Sequence, residues 1–339
     1  MSVPTISYHE TLCWEKAIYV DVRAPIEFKK DHIPHAINYP LFDDTERAYI
    51  GTLYHTQGRE KALLEGVSIA SLKLKDMISF FSNLKDNHVI IYCYRGGMRS
   101  ESVVSFCNSI GFSFYKLDGG YKAYRQYIRE YLGRFVFSMP VFTLYGLAGS
   151  GKTKVLKNMP YAIDLEQCAG NRSSLFGSLG MPNHTQKYFE SLIAHQLQTI
   201  ESWHYCIFEG ESRKIGNCHI PYCVLNSLQN GAALWLETPL EQRIQHIYDE
   251  YMPFISEEVI MPLLDKLQLA MGKSKTSYCK QLFKQGNIHE LIEFLLIHHY
   301  DPEYMHSIKH ISFIAHIPFK DPLITASEID ILINNILSA

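Results

Sequence analysis

Short apolar runs alternate along the chain with longer segments in which apolar residues recur every three or four positions. In the first 135 residues, the runs AIYVDVR (17–23), HVIIYC (88–93) and SFYKL (113–117) predict buried strands. Helical spacing appears in the segments 61–84, 100–112 and 118–132. Strands that alternate with helices are typical of a parallel α/β sheet.

The pattern restarts after GRFVFSMP (133–140). It predicts strands at VFTLY (141–145), YAIDLE (161–166), YCIFEGE (205–211), AALWLET (232–238) and ISFIAHIPF (311–319), and helices from 152 and over 185–203, 221–229, 239–251, 255–300 and 325–337. A chain of 339 residues is also long for one hydrophobic core. We therefore predict two α/β domains, 1–135 and 140–339, the second with a helical C-terminal extension.

The composition of the chain excludes some classes of protein but does not by itself indicate a function. The chain is 47% hydrophobic and 20% charged, and its net charge of −3 gives no global attraction to nucleic acid, so an RNA site requires a local basic patch. The 8 cysteines show no paired spacing, the start MSVPTISYHE shows no leader pattern, and no apolar run has membrane-spanning length. These features predict reduced cysteines, a cytoplasmic location and no membrane partner.

The first candidate site is the loop Cys93-Tyr94-Arg95-Gly96-Gly97-Met98-Arg99, between a predicted strand and a helix N-terminus. Gly96 and Gly97 allow successive backbone N–H groups to point inward, and Arg95 and Arg99 add full positive charge. These surroundings favour a thiolate, so Cys93 is the candidate catalytic nucleophile in an anion-binding loop. The alternative is a buried structural cysteine before a glycine-rich turn.

The second candidate site is GLAGSGKT (146–153), which has P-loop spacing and lies between a predicted strand and helix. Gly146, Gly149 and Gly151 allow the backbone to wrap a diphosphate, Lys152 can reach its outer oxygens, and Thr153 can ligate Mg²⁺. Candidate acidic groups for a metal or a base follow on later strands: Asp164, Glu166, Glu209 and Glu211. Water-facing carboxylates at strand ends are an equally good interpretation of these four.

Two basic runs are candidates for contacts with RNA phosphates. The first follows the first sheet and includes Lys122, Arg125 and Arg129; the second contains Lys273, Lys275, Lys280 and Lys284. A solvated helix face is the simpler interpretation of either run.

The segment DVRAPIEFKKDHIPHAINYP (21–40), followed by the Cys93 loop, resembles a rhodanese domain. The resemblance implies that Asp21 and Arg23 are structural and that Cys93 carries a persulfide or attacks the substrate. Sulfur-carrying rhodaneses have a Cys-x4-Arg loop, whereas Cys93 to Arg99 is Cys-x5-Arg, the spacing of rhodanese-like and tyrosine phosphatases. The loop therefore leaves two candidates, a chalcogen transferase with a phosphate-containing donor and a phosphatase.

The whole chain resembles the tRNA 2-selenouridine synthase family. The similarity follows DVRAPIEF, ERAYIGTLYHTQGREKA, YCYRGGMRS, LDGGYKAYR, GLAGSGKT, DLEQCAGNRSSLFG and FEGESRKIG, in that order. Tyr94 stands where the family typically has tryptophan, and Gly170-Asn171-Arg172-Ser173 departs from a His-Arg-Gly run.

The resemblance implies a reaction in which the sulfur of wobble-position 2-thiouridine in tRNA is replaced by selenium from selenophosphate. It also implies an S-geranyl intermediate made with geranyl diphosphate, which we expect in the P-loop. No tightly bound cofactor is expected, Mg²⁺ is a candidate ligand, and an enzyme that supplies selenophosphate is a candidate partner. The alternatives are a rhodanese-type sulfurtransferase or phosphatase fused to an ATP-using P-loop kinase, and a regulatory RNA-binding scaffold in which Cys93 is dispensable.

Overall fold

The computed structural model describes residues 3–338, and the chain divides into two units. The first unit contains the residues up to 134 together with 190–195, and the second contains 135–189 and the residues from 196 onward. In the part of the chain described, no helix has both the length and the apolar character needed to cross a bilayer.

The first unit is built on five parallel strands: β1 (Thr5–Ile6), β2 (Ala17–Asp21), β3 (Ile37–Asn38), β4 (His88–Tyr92) and β5 (Tyr115–Leu117). Their order across the sheet is β1-β5-β4-β2-β3. The central strand β4 is fully buried from Val89 to Tyr92, which accounts for its unbroken apolar run. The unit's helices are α1 (Tyr8–Thr11), α2 (Pro25–Lys30), α3 (Asp44–Ser71), α4 (Leu74–Ser82), α5 (Met98–Ser109) and α6 (Gly120–Arg134).

Helix α3 begins well before the segment predicted from periodicity, and the predicted helix 61–84 is two helices. Its start is fixed by a capping box, in which Glu46 N–H donates to Asp43 Oδ1 at 2.7 Å and Asp43 N–H donates to Glu46 Oε2 at 2.8 Å. The helix bends at Gly58, which has φ 86° and ψ 178°. The first half was missed because few of its residues are apolar and buried.

The second unit also has a parallel five-stranded sheet: β6 (Val141–Tyr145), β7 (Ala162–Ile163), β8 (Cys206–Glu209), β11 (Ala232–Glu237) and β12 (Phe313–Pro318). The order is β12-β11-β6-β8-β7, so the strand before GLAGSGKT is central. A short antiparallel pair, β9 (Lys214–Ile215) and β10 (Cys218–His219), lies outside this sheet.

The remaining helices are α7 (Lys152–Leu156), α8 (Leu165–Ala169), α9 (Gln186–Leu197), α10 (Tyr222–Asn230), α11 (Leu240–Tyr251), α12 (Glu257–Met271), α13 (Lys273–Lys284), α14 (Ile288–Leu295), α15 (Asp301–Ile308) and α16 (Pro322–Ser338). All belong to the second unit except residues 190–195 of α9, which belong to the first. A 3₁₀ turn at Met252–Phe254 follows α11, and a π-helical turn at Leu296–Tyr300 joins α14 to α15. The predicted fold class is confirmed, although the predicted strand 161–166 is only Ala162–Ile163 and then becomes α8.

Candidate functional site

The first site is the turn that follows β4. Cys93 is 4% exposed, and Ser100 Oγ lies 3.2 Å both from Cys93 Sγ and from the Gly97 carbonyl oxygen, so its single hydroxyl hydrogen can be donated to either. Ser100 is itself fully buried on the first turn of α5. Ser100 was not predicted as a site residue, although it ends the quoted stretch YCYRGGMRS.

Two glycines allow this loop to pack against the turn before α6. Gly96 has φ 64°, and a Cβ there would lie 2.8 Å from the Leu117 carbonyl oxygen. Gly120 has φ 59°, and a Cβ there would overlap the Cys93 carbonyl oxygen. The Tyr121 N–H donates to that same oxygen at 2.9 Å. Gly97, by contrast, has φ −91° and open space around it, so sterics do not require a glycine there.

The predicted arginines of the loop differ in their partners. Arg95 is exposed, and its Cζ lies 6.0 Å from the Tyr94 ring centroid. Arg99 donates to Glu27 Oε2 at 2.9 Å. Burial acts to raise the pKa of Glu27, but the hydrogen bond and charge of Arg99 outweigh it and lower that pKa. Within residues 3–338, Arg95 therefore has no carboxylate partner, whereas Glu27 holds the Arg99 guanidinium in place.

Asp21 and Arg23 form a buried ion pair at the end of β2. The two residues are 0% and 2% exposed, and Arg23 donates to both oxygens of Asp21, with an NH2–Oδ2 distance of 2.6 Å. The same NH2 donates to the Asp31 carbonyl oxygen at 2.8 Å. The Arg23 guanidinium therefore connects the end of β2 to Asp31 after α2, and its Cζ also lies 4.1 Å from the Tyr121 ring centroid.

The second site is the loop between β6 and α7. Gly149 and Gly151 have φ values of 75° and 90°, and a Cβ at either would lie 2.7 to 2.8 Å from a neighbouring atom. At Gly146, φ is not left-handed, but a Cβ would lie 2.8 Å from Ser150 Oγ and 3.0 Å from the Leu236 carbonyl oxygen. All three predicted glycines are therefore sterically required by this loop.

Lys152 and Thr153 both contact the end of β8. Lys152 Nζ donates to the Gly146 carbonyl oxygen at 2.7 Å and lies 3.6 Å from Glu209 Oε1. Thr153 Oγ1 donates to Glu209 Oε2 at 2.8 Å. Burial acts to lower the pKa of Lys152, but the charge of Glu209 and other nearby groups outweighs it and raises that pKa. The lysine is therefore a fixed positive charge beneath the loop.

Three of the four predicted carboxylates converge on this lysine. Glu166, Glu209 and Glu211 each offer an oxygen within 4.8 Å of the others. Burial, and then the charges of Glu209 and Glu211, raise the pKa of Glu166 well above its usual range. Burial and the charge of Glu209 raise the pKa of Glu211 to about 8. Asp164 instead caps α8, where its Oδ1 accepts from Gln167 N–H at 2.8 Å.

The P-loop opens into a cavity of about 1060 Å³. Its polar end contains Lys152, Thr153 and the three glutamates. Its walls include apolar side chains of the C-terminal helices: Met252, Ile255, Ile260, Phe283, Ile288, Leu291, Ile292, Leu295 and Leu296. The cavity thus joins the 146–153 loop to a space whose walls carry many apolar side chains, together with polar ones such as His299, Glu303 and His310.

The comparisons with known proteins agree with this architecture. A rhodanese-like domain model matches residues 7–127, and a model described as the tRNA 2-selenouridine synthase AAA domain matches residues 139–282. A tRNA 2-selenouridine synthase of Shewanella woodyi is 32% identical, over 91% of this chain and 92% of its own. The chain belongs to the tRNA 2-selenouridine synthase family.

Further relatives carry the same name. A tRNA 2-selenouridine synthase of Sulfurovum sp. is 29% identical over 91% of this chain and 93% of its own, and one of Pseudomonas fluorescens is 34% identical over 71% and 68%. A crystal structure of the N-terminal domain of a Clostridium difficile 630 protein, described as ATP/GTP binding, covers 37% of this chain and 98% of its own at 44% identity, with a TM-score of 0.36. The predicted family is confirmed by the full-length relatives.

In this member of the tRNA 2-selenouridine synthase family, the three basic residues proposed for tRNA lie in different environments. Arg125 is 7% exposed, donates to Ser191 Oγ at 2.8 Å and pairs with Glu190, so its charge does not face solvent. Lys122 and Arg129 are exposed. The Lys122 N–H donates to the Tyr94 carbonyl oxygen at 2.9 Å, which places Lys122 beside the thiol loop.

Two residues that sequence reasoning missed hold the P-loop of this family member from α11. Arg243 Nε donates to the Ala148 carbonyl oxygen at 2.9 Å, and its other nitrogens form two hydrogen bonds with Asp301. His246 Nδ1 lies 2.9 Å from the Gly149 carbonyl oxygen. No local pattern marks either residue, because their partners lie far away in the chain.

Proposed function

We propose that this protein replaces the sulfur of wobble-position 2-thiouridine in cytoplasmic tRNA by selenium, with an S-geranyl intermediate. The P-loop unit would attach the geranyl group, and the Cys93 loop would act in the selenium step. Selenophosphate would come from a separate enzyme. Membership of the tRNA 2-selenouridine synthase family supports the overall reaction, and the geometry of each loop supports its assigned step.

The observation that carries the geranyl step is the cavity beyond Lys152. A P-loop wraps a diphosphate with its backbone N–H groups, and the ligand's remaining part must lie in the adjoining space. Here the apolar part of that space is lined mainly by α14, through Ile288, Leu291, Ile292 and Leu295, with Ile260 of α12 and Leu296 of the π-helical turn beside them. Ten carbons of an isoprenoid chain gain free energy from such a lining, whereas a charged or polar group loses hydration there.

In this step the sulfur of 2-thiouridine attacks C1 of the geranyl group, and the C1–O bond breaks. Its electron pair leaves with the diphosphate, and the base loses its N3 proton, so that the S-geranyl pyrimidine is neutral. Lys152 stabilises the charge that accumulates on the departing diphosphate. The apolar walls shield the allylic carbon from water and so suppress hydrolysis.

Mg²⁺ suits the residues present at the polar end of the cavity. The Thr153 hydroxyl and the Glu209 carboxylate would hold it, since both are oxygen ligands of the type that Mg²⁺ prefers. The crowding of Glu166, Glu209 and Glu211, whose pKa values are all raised by burial and by neighbouring charge, is a repulsion that a cation relieves. When bound, the ion supplies positive charge to the diphosphate.

The selenium step begins when the selenium of selenophosphate bonds to C2 of the S-geranyl base. The C2–S electron pair then leaves as geranyl thiolate, which takes up a proton. The Cys93 thiolate attacks phosphorus, the P–Se electron pair passes to selenium, and 2-selenouridine is released. Water hydrolyses the phosphocysteine to phosphate and thiol. The Cys-x5-Arg spacing and the Ser100 hydroxyl within hydrogen-bond distance of the sulfur support Cys93 in this role.

The test supplies the purified protein with tRNA that contains 2-thiouridine, first with geranyl diphosphate and then with selenophosphate. We expect mass spectrometry of the digested nucleosides to show S-geranyl-2-thiouridine and then 2-selenouridine. Dimethylallyl diphosphate is the matched control, because it carries the same diphosphate with half of the carbons and should react more slowly. ATP turnover without any geranylated nucleoside would contradict the assignment of the P-loop.

A further inference from the structure

Cationic residues of α3, α5 and α6 lie close to the Cys93 loop. Arg47 of α3 lies with its Nε 3.8 Å from Glu27 Oε2, the oxygen that also accepts from Arg99. Arg59, just after the bend of α3, has its NH2 3.9 Å from Met98 Sδ at the start of α5. The main chain of Lys122, an exposed residue, adjoins the same loop, because its N–H donates to the Tyr94 carbonyl oxygen. These contacts all lie within the first unit.

The positive charge here exceeds what a small anion requires. Glu27 is the carboxylate that pairs with Arg47 and Arg99, while Arg59 and Arg95 have no carboxylate within ion-pair distance among residues 3–338. An oxyanion in the loop is served by its N–H groups with Arg95 and Arg99. Arg59 and Lys122 take no part in this, and Arg47 shares the single Glu27 carboxylate with Arg99, so positive charge is in local excess in a chain whose net charge is −3. Such a local excess favours a polyanion.

Tyr94 adds an aromatic surface at the same place. Its side chain is 42% exposed, next to a cysteine that is 4% exposed. Its main chain is fixed by the Lys122 N–H, so the ring projects from a rigid loop. Because the thiol is recessed, a base can approach it only after leaving its stack, and an unstacked RNA base is typically held by an aromatic ring.

We propose that Tyr94 stacks on the anticodon-loop base that is modified, while Arg47, Arg59 and Lys122 bind the phosphates of that single-stranded loop. The proposal rests on the proposed function, because tRNA is its substrate, and it identifies where the RNA is read. Arg125 is buried, so in this proposal Arg47 and Arg59 of α3 contact the phosphates in its place, together with Lys122. Exposed Arg and Tyr side chains on one rigid edge supply the two contacts that single-stranded RNA needs.

Binding of a 2-thiouridine anticodon stem-loop tests this site without geranyl diphosphate or selenophosphate. We expect Tyr94→Ala to weaken affinity roughly 5- to 150-fold, the range for loss of one stacked base. Tyr94→Trp should bind the stem-loop at least as tightly as the wild-type protein, because tryptophan offers a larger flat ring for stacking. In turnover with full-length tRNA, Tyr94→Ala should raise KM more than it lowers kcat. Tyr222→Ala is the control, since Tyr222 is 80% exposed but belongs to the second unit.

The phosphate contacts are tested by the salt dependence of the same binding. Arg47→Gln and Arg59→Gln should each reduce the slope of log affinity against log salt by about 1. Lys85→Gln should leave the slope unchanged, because Lys85 is exposed near the opposite end of β4. Far-UV circular dichroism checks that each variant is folded.

Two outcomes would overturn the proposal, and they differ in what else they affect. If the wild-type protein binds the stem-loop and Tyr94→Ala binds equally well with an unchanged salt slope in both arginine variants, the RNA is read elsewhere. If the wild-type protein binds no tRNA at all, the proposed function fails as well.

Discussion

The two loops occupy equivalent places in two parallel sheets but have opposite charge balance. Each follows the third strand in its sheet order and precedes a helix. Beside the Cys93 loop, Arg47 and Arg99 share the Glu27 carboxylate, whereas Lys152 is near three carboxylates, those of Glu166, Glu209 and Glu211. The same backbone arrangement is therefore prepared for different ligands. Under the proposed function, the first loop would take an anion directly, and the second would take a cation together with its anion.

The strongest test of this division is Cys93→Ala. We expect 2-selenouridine formation to fall by roughly 10³-fold or more, since the nucleophile is lost. S-geranyl-2-thiouridine should accumulate, because the P-loop is unchanged. Nucleoside mass spectrometry measures both products, and Cys13→Ala is the matched control at an exposed cysteine. Equal loss of both products would show that the two loops do not act separately.

Lys152→Ala tests the same division from the other side. Removal of a preorganised charge that stabilises a leaving group typically costs about 10² to 10³ in rate, so geranylation should fall by that factor. tRNA that already carries the geranyl group should still be selenated. The control is Lys157→Ala, an exposed lysine after α7. Normal geranylation with lost selenation would move the phosphate-containing selenium donor into the P-loop.

Ser100→Ala sharpens the role of the thiol loop. A hydrogen bond to a charged group is worth about 1.5 to 3 kcal/mol, so the selenium step should slow by roughly 10- to 100-fold. Geranylation should not change. Ser102→Ala is the control, since the Ser102 hydroxyl donates to the Met98 carbonyl oxygen instead. A selenation rate equal to that of wild type would mean that the hydroxyl does not stabilise the reacting thiolate.

The smallest expected effect is that of Glu211→Gln, and it concerns how the stability of the folded protein depends on pH. Its pKa is raised to about 8, so the folded protein binds more protons than the unfolded chain between the ordinary carboxyl range and pH 8. Stability of the metal-free protein should therefore decrease as pH rises through that window. Glu211→Gln should flatten this decrease and raise Tm at pH 8 by a few degrees. Thermal unfolding from pH 5 to 9 measures it, with Glu201→Gln as an exposed control.

Local signals predicted the parts of the molecule whose causes are local. The strands β4 and β6, and the left-handed glycines 96, 149 and 151, follow from short apolar runs and from loop sterics. Periodicity also predicted the helices of 255–300, but it could not show that they line a cavity beside Lys152. Hydrophobic periodicity shows which face of a helix is apolar, but it does not show whether that face packs in a core or lines a cavity.

Long-range contacts decided what the sequence could not. Arg125 has the spacing of a surface cation, yet Glu190 and Ser191 bury it. Arg243 and His246 look like ordinary polar residues of an amphipathic helix, yet they bind carbonyl oxygens of the P-loop. In each case the partner that decides the environment is more than sixty positions away, and no local sequence motif links the two residues.

The close approach of Gly96 to the turn before α6 has a consequence for engineering. The thiol loop is shaped by two segments, since Gly120 leaves no room for a side chain against Cys93 and Gly96 leaves none against Leu117. If YCYRGGMRS alone were grafted onto another scaffold, it would lack the segment against which the loop packs. The smallest portable module therefore includes LDGGYK, and the two pieces should be redesigned together or left untouched.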